Sequence, residues 1–211
     1  MPAPLPPRPF LYPIVDIGVL GPRPVGEAVR ALAQGGARIL QLRAKDAPDR
    51  QLWELAREAQ AAALAAGARL LVNDRPDVAR LVGAAGVHLG QHDLPPAVVR
   101  GLLGPEALIG LSTHTLEQVR AAAGEPVDYV AVGPVFLTRT KANPDPVVGL
   151  ALVREARALV DRPLIAIGGI TRDNAASVVA AGADGVAVIS DLLRAEDLAS
   201  AARSFWEAKL G

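Results

Sequence analysis

RILQLRAKDAPDRQLWELAREAQAAALAAGARLLVND, residues 38–74, reads as one complete strand–helix–strand unit. It opens on an apolar run, RILQL (38–42), passes through an amphipathic stretch, PDRQLWELAREAQAAALAA (48–66), and closes on a second run, RLLVN (69–73). The apolar runs are continuous rather than alternating, the pattern of parallel strands covered on both faces. The middle segment repeats its apolar residues at helical spacing and so carries one stripe to bury. Its return turn is AAG, where glycine can adopt the left-handed cap that ends a helix.

The same unit recurs along the chain. Further strands are expected at FLYPIV (10–15), GVHL (86–89), ALIGL (107–111), YVAV (129–132), LIAI (164–167) and GVAVIS (185–190), and another clear helix at GLALVREARALV (149–160). Helices end in Ala/Gly turns directly before strands, as in QGGARIL, AAGARLL, AAGVHL and AAGADGVAV, which amounts to a weak internal repeat. Eight strands alternating with eight helices predict an α/β fold, a (β/α)8 TIM barrel forming a single catalytic domain over residues 10–211. An open doubly wound sheet would use the same turns, but no GxGxxG fingerprint follows the first strand. Residues 1–9, MPAPLPPRP, read as a flexible, extended proline-rich leader.

Composition narrows the function. The chain has 211 residues, 51% of them hydrophobic, enough to bury a large core without metal or disulfide staples. It has no cysteine, so thiolate nucleophiles and Cys-zinc sites are excluded, and a reducing cytoplasm is the expected compartment. Lys and Arg total 22, balanced by 22 Asp and Glu, with no run of like charge to mark a nucleic-acid or anionic-membrane surface. Neither a signal peptide nor a membrane-spanning apolar stretch is expected. Small molecules are the natural partners.

Polar residues cluster just after the apolar runs. In a barrel of parallel strands these positions meet at one rim, which predicts an enzyme with a single composite pocket. Gln41, Arg43 and Lys45 alternate as strand 2 runs out, so they share a face and could receive a phosphorylated anion. A salt-bridged strand edge would use the same residues. Yet the chain has 19 arginines and only three lysines, and two of those, Lys45 and Lys141, fall at rim positions.

Asn73 and Asp74 end strand 3 and Asp93 follows strand 4, a carboxylate pair suited to a hard ion such as Mg2+; Asp74 alone would also serve as a helix cap. Ser112, Thr113 and His114 follow strand 5, and Thr138, Thr140 and Lys141 follow strand 6, where hydroxyls and a lysine suit a phosphate cradle. Taken singly, Ser112 and Thr115 fit turn or capping roles better, and His88 and His114 could each be structural. Gly168 and Gly169 after strand 7, with Ile189, Ser190 and Asp191 after strand 8, occupy the loops where barrels frequently bind phosphate through backbone N–H groups.

Taken together, QLRAKD, LLVNDR, VHLGQHD, GLSTHT, GPVFLTRTK, AIGGI and GVAVIS resemble the thiamine-phosphate synthase family in order and spacing, from Phe10 to Trp206. That resemblance implies a (β/α)8 fold and the joining of hydroxymethylpyrimidine diphosphate to hydroxyethylthiazole phosphate, with Mg2+, by a dissociative route. It implies that Gln41, Leu42, Arg43, Ala44, Lys45, Asn73, Ser112 and Lys141 contact the pyrimidine diphosphate and that Asp74 and Asp93 hold Mg2+. It assigns Thr138, Arg139, Thr140, Gly168, Gly169, Ile189 and Ser190 to the thiazole phosphate, and makes Arg43, Lys45, Ser112 and Lys141 the catalytic group. Ala44 stands where the family often has Glu, and Leu137 where it often has Pro. A thiazole tautomerase of the same fold would need neither diphosphate nor metal, so Arg43, Lys45, Asp74, Asp93 and Lys141 argue against it. A noncatalytic thiamine-phosphate regulator ranks below both.

Overall fold

The computed structural model describes residues 4–138 and 146–207. Eight parallel strands, β1 (Phe10–Asp16), β2 (Ile39–Arg43), β3 (Arg69–Asn73), β4 (Gly86–Leu89), β5 (Leu108–Thr113), β6 (Tyr129–Val132), β7 (Leu164–Ile167) and β8 (Gly185–Val188), pair in sequence order and close into a barrel. Closure is made by β8 on β1, with Phe10 opposite Gly185 and Tyr12 opposite Ala187. The principal connecting helices are α2 (Val25–Gln34), α3 (Asp49–Ala65), α4 (Pro76–Val82), α5 (Pro96–Leu103), α6 (Leu116–Gly124), α7 (Gly149–Leu159), α8 (Ala175–Ala180) and α10 (Leu198–Glu207). Two further single turns, α1 (Ile17–Leu20) and α9 (Ser190–Leu193), sit directly after β1 and β8. The expected barrel is therefore present, with strand ends within two residues of the expected ones.

Strand parity divides the core into two layers. Leu40 and Leu42 of β2 face outward into the layer between strands and helices, together with Leu70, Val72, Val87, Leu89 and Ile109. Ile39 faces inward and packs with Phe10, Tyr12, Ile14, Leu71, Leu108, Tyr129 and Ile165. The interior admits these large rings because glycines face them. A Cβ on Gly110 would lie 2.0 Å from the Tyr129 ring, and one on Gly185 would lie 2.6 Å from Phe10.

The N-terminal end of the barrel is stapled by two carboxylates that open strands. Asp184, before β8, accepts from the Leu164 N–H at 2.8 Å and pairs with Arg157 at 2.8 Å and Arg8 at 2.7 Å. Asp128, before β6, accepts from the Ile109 N–H at 2.7 Å and pairs with Arg100 at 2.7 Å. Residues 4–9 of the leader are tied to this end: Leu5 packs against the interior layer and the Pro4 carbonyl accepts from Arg69 at 2.6 Å.

Asp184→Ala is expected to lower stability by about 2–4 kcal/mol, because it strands a buried N–H and a mostly buried guanidinium. Ligand affinity should stay unchanged, since this end of a barrel carries stability rather than chemistry. Urea unfolding alongside ligand calorimetry checks both halves; a stability change below 1 kcal/mol would make the staple incidental.

Candidate active site

At the opposite end, β1 and β2 leave the barrel side by side with Asp16 opposite Arg43. The Arg43 guanidinium donates to Asp16 Oδ2, and Asp16 Oδ1 accepts from the Gly18 N–H at 2.9 Å. Asp16 is buried and Arg43 mostly so. The pair holds one edge of the guanidinium and leaves the remaining donors to the rim. Sequence reading missed Asp16; its one signal was an acid closing an apolar strand, which is also what a helix cap looks like.

β3 ends in an unusual turn. Asp74 is the one non-glycine residue with positive φ among those described, at 61°, and its N–H donates to the His88 carbonyl at 2.8 Å. This conformation turns the Asp74 side chain toward Asp93, which is held by a 2.6 Å bond from the Gly90 N–H. The expected alternative for Asp74, capping α4, does not occur: Arg75 occupies that cap position, with no side-chain cap bond. Burial, followed by hydrogen bonding to and repulsion from Asp93, pushes the Asp74 carboxyl up to about 6, while Lys45 and Arg43 pull it back. Four groups expected at the rim, Arg43, Lys45, Asp74 and Asp93, therefore share one electrostatic neighbourhood.

Among the described residues no cluster of three or more His, Cys, Asp or Glu side chains is arranged to hold a metal. The Asp74–Asp93 pair supplies two hard oxygen ligand groups and no more. Mg2+ tolerates such a set, because it keeps several waters and takes substrate phosphate oxygens as further ligands.

Gln41 and Ser112 meet a chain of buried polar groups. Gln41 Nε2 donates to the Tyr12 hydroxyl at 3.0 Å, which lies 3.0 Å from the Tyr129 hydroxyl. Tyr129 lies 2.8 Å from His88 Nδ1, and His88 Nε2 lies 2.8 Å from Ser112 Oγ. Ser112 is accordingly no turn residue, whereas Thr115 does cap α6 by accepting from the Gln118 N–H at 3.3 Å. His114 braces two strand ends through its ring and the Gly133 carbonyl, 2.6 Å apart. Asn73 is half-buried at the end of β3, opposite His88 in register.

The loops after β6 and β7 are zipped together by Val135 N–H to Ile167 O and Phe136 N–H to Gly168 O, each 2.9 Å. Gly168 and Gly169 have φ of 98° and 64°, and a Cβ on either would come within 2.5 Å of Pro134 or Leu137 backbone. Both positions thus demand glycine for conformation and for close approach. Thr138 is half-buried at the end of this loop; Arg139, Thr140 and Lys141 lie outside the described residues.

Beyond Gly169, Thr171, Arg172, Ser190, Asp191 and Arg194 line a cavity of about 310 Å3. Ile189 is half-buried where β8 passes into α9. The Thr171 and Arg172 N–H groups are already taken by Asn174 and Asp191, so an anion in this cavity would rely on the Thr171 and Ser190 hydroxyls and the two arginines, one of them paired with Asp191. Arg172 and Arg194 were not anticipated, because an arginine one turn past a strand looks like any solvated helix residue. A larger groove of about 940 Å3 lies between α2 and α3 on the outer shell and gathers none of the rim groups.

Fold and rim together define a single-domain (β/α)8-barrel enzyme with its polar groups collected at the C-terminal ends of the strands. A profile of the thiamine monophosphate synthase family matches residues 11–192. Thiamine-phosphate synthase of Koribacter versatilis is 49% identical over 189 residues, covering 88% of this chain and 89% of that one. The Moorella thermoacetica protein of the same name is 46% identical over 197 residues, covering 93% and 94%. Thiamine phosphate pyrophosphorylase from Pyrococcus furiosus superposes with a TM-score of 0.84 at 37% identity, covering 94% of each chain. The chain belongs to the thiamine monophosphate synthase family, among the enzymes of thiamine biosynthesis.

Proposed function

We propose that the enzyme joins hydroxymethylpyrimidine diphosphate to hydroxyethylthiazole phosphate, releasing pyrophosphate and forming thiamine phosphate. The observation that carries this reading is the shared neighbourhood of Arg43, Lys45, Asp74 and Asp93. Two carboxylates close enough to raise a pKa, flanked by two cations, suit a diphosphate bound with a divalent ion. An enzyme acting on the thiazole phosphate alone has no use for that set.

In this reading the bond from the pyrimidine methylene to diphosphate oxygen breaks first, and the thiazole nitrogen then forms the new C–N bond. Arg43, fixed by Asp16, and Lys45 stabilise the charge that builds on the departing diphosphate, with Lys141 from the β6 loop assigned the same task. Asp74 and Asp93 would hold Mg2+, which when bound supplies further charge neutralisation at the diphosphate. Gln41, Asn73 and Ser112 supply side chains to the pyrimidine side, and Leu42 and Ala44, whose side chains pack in the outer layer, border it through their backbone. Thr138, Arg139, Thr140, Gly168, Gly169, Ile189 and Ser190 form the thiazole-phosphate side. No protein nucleophile is required.

Purified protein given both substrates and Mg2+ is expected to release pyrophosphate and thiamine phosphate in equal amounts, and to stop in excess EDTA. Turnover that survives EDTA removes the metal from the reading. Thiazole isomerisation without coupling would make the protein a tautomerase, and ligand binding without any turnover would make it a regulator.

A further inference from the structure

The buried chain from Gln41 to Ser112 crosses the barrel through β1, β6 and β4, and it adjoins the carboxylate pair at His88, whose backbone carbonyl accepts from the Asp74 N–H. Tyr12 and Tyr129 are almost wholly buried, and each has one proton to give. Gln41 Nε2 donates to Tyr12, and a chain that runs on in the same sense sends the Tyr12 proton to Tyr129, in a contact where either oxygen fits as donor by distance alone. The Tyr129 proton then goes to His88 Nδ1. In a chain of that sense His88 takes the Nε2–H tautomer and donates to Ser112 Oγ. Ser112 has its own proton left for a ligand, and the Gln41 amide has its Oε1 left.

We propose that Tyr12, Tyr129 and His88 are positioning residues whose one-way hydrogen-bond chain makes Ser112 a donor and Gln41 an acceptor toward the ligand. The ligand class this selects is a nitrogen heterocycle with an amino group to give to Gln41 and an acceptor atom to take from Ser112. Naming the aminopyrimidine as that ligand rests on the proposed function.

Burial keeps both tyrosines protonated, which the chain requires. It raises the Tyr12 hydroxyl to about 12 and Tyr129 well above its ordinary value, so both remain neutral donors. Packing holds the geometry: Tyr12 meets Tyr129 edge-on at 6.0 Å and His88 stacks on Tyr129 at 5.6 Å between centroids. The space for the Tyr129 ring exists because residue 110 is glycine.

The first test is nitrogen NMR of the His88 imidazole in ligand-free protein, assigned against His88→Gln. The expected result is a protonated Nε2 and a bare Nδ1, with Tyr129→Phe giving signals of both tautomers. A wild-type Nδ1–H tautomer would reverse the chain and overturn the proposal. The second test is a double-mutant cycle of Tyr12→Phe and Ser112→Ala, read by calorimetry with the pyrimidine diphosphate. Each change should weaken binding by about tenfold, and the pair also by about tenfold, because both break one chain. A loss of about a hundredfold in the pair would mean independent roles and would sink the idea. If Tyr129→Phe fails to fold, the wild-type tautomer and the Tyr12 cycle decide. Wild-type protein that binds neither substrate would overturn the proposed function, and the tautomer would still decide the chain.

Discussion

Asp74→Asn should give a ligand-free protein that is more stable than the wild type and an enzyme that turns over at least about 100-fold more slowly. The folded-state carboxyl titrates near 6, against 3.8 ordinarily, so ionising it in the fold is unfavourable. Below pH 4 the group is neutral in both states and costs nothing. Stability is lost as pH rises from about 4 to 6, and the full cost is present above 6. Asparagine removes that charge and also tolerates the left-handed backbone that this position requires.

The gain at pH 8 should be about 1–2 kcal/mol, a discounted value because the side chain keeps some solvent. It should shrink as pH falls toward 4. The loss of turnover follows from removing one of two oxygen ligand groups assigned to Mg2+, whose charge stabilisation is worth several kcal/mol. Thermal melts without divalent ions at several pH values, and pyrophosphate release with Mg2+, check the two halves. A variant less stable than wild type at pH 8 would mean that the two carboxylates do not repel as described.

The second large effect is expected at Arg43. Arg43→Ala should lower turnover by about 1,000-fold at low pyrimidine diphosphate, near the upper end for removing one electrostatic stabiliser. Thiazole-phosphate affinity should change less than twofold, because the glycine loops follow β7, three strands round the barrel from β2, and the start of α9 follows β8, two strands away. The ion pair with Asp16 adds a complication that must be controlled. Without Arg43 the Asp16 carboxylate is buried beside little more than the Gly18 N–H, and stability should fall by about 2–3 kcal/mol.

Adding Asp16→Asn should restore most of that stability and none of the turnover. Calorimetry with each ligand, together with urea unfolding of both variants, separates binding from folding. Equal loss of both ligands in the folded double variant would show that the rim is not divided into two subsites.

Arg43 and Asp74 were both visible as polar residues closing apolar strands, and parity placed Gln41 and Arg43 on one face. The inward Gln41 and outward Leu40 and Leu42 bear that parity out. Strand limits were legible because continuous β-branched and leucine runs between glycine turns leave little choice of register. β8 ends at Val188 rather than residue 190 because Ser190 already begins α9.

The functions of Tyr12, Tyr129 and Asp16 were not legible. Tyr12 and Tyr129 stand 117 residues apart, and each alone is an ordinary aromatic in an apolar run. The Arg8–Asp184 tie spans 176 residues and gives no local signal either.

What the sequence determined by itself is the alternation of strand and helix, the shared face of Gln41, Arg43 and Lys45, and the collection of polar groups at one rim. These follow from periodicity, which is carried by residues a few positions apart. Only the tertiary structure decided which inward groups touch, that Asp74 faces Asp93 instead of capping its helix, and that Gln41 reaches Ser112 through two tyrosines and a histidine. Those outcomes depend on closing β8 onto β1 and on the relative heights of strands far apart in the chain. The resulting distances and local desolvation set each partner and each pKa, and no local pattern encodes them.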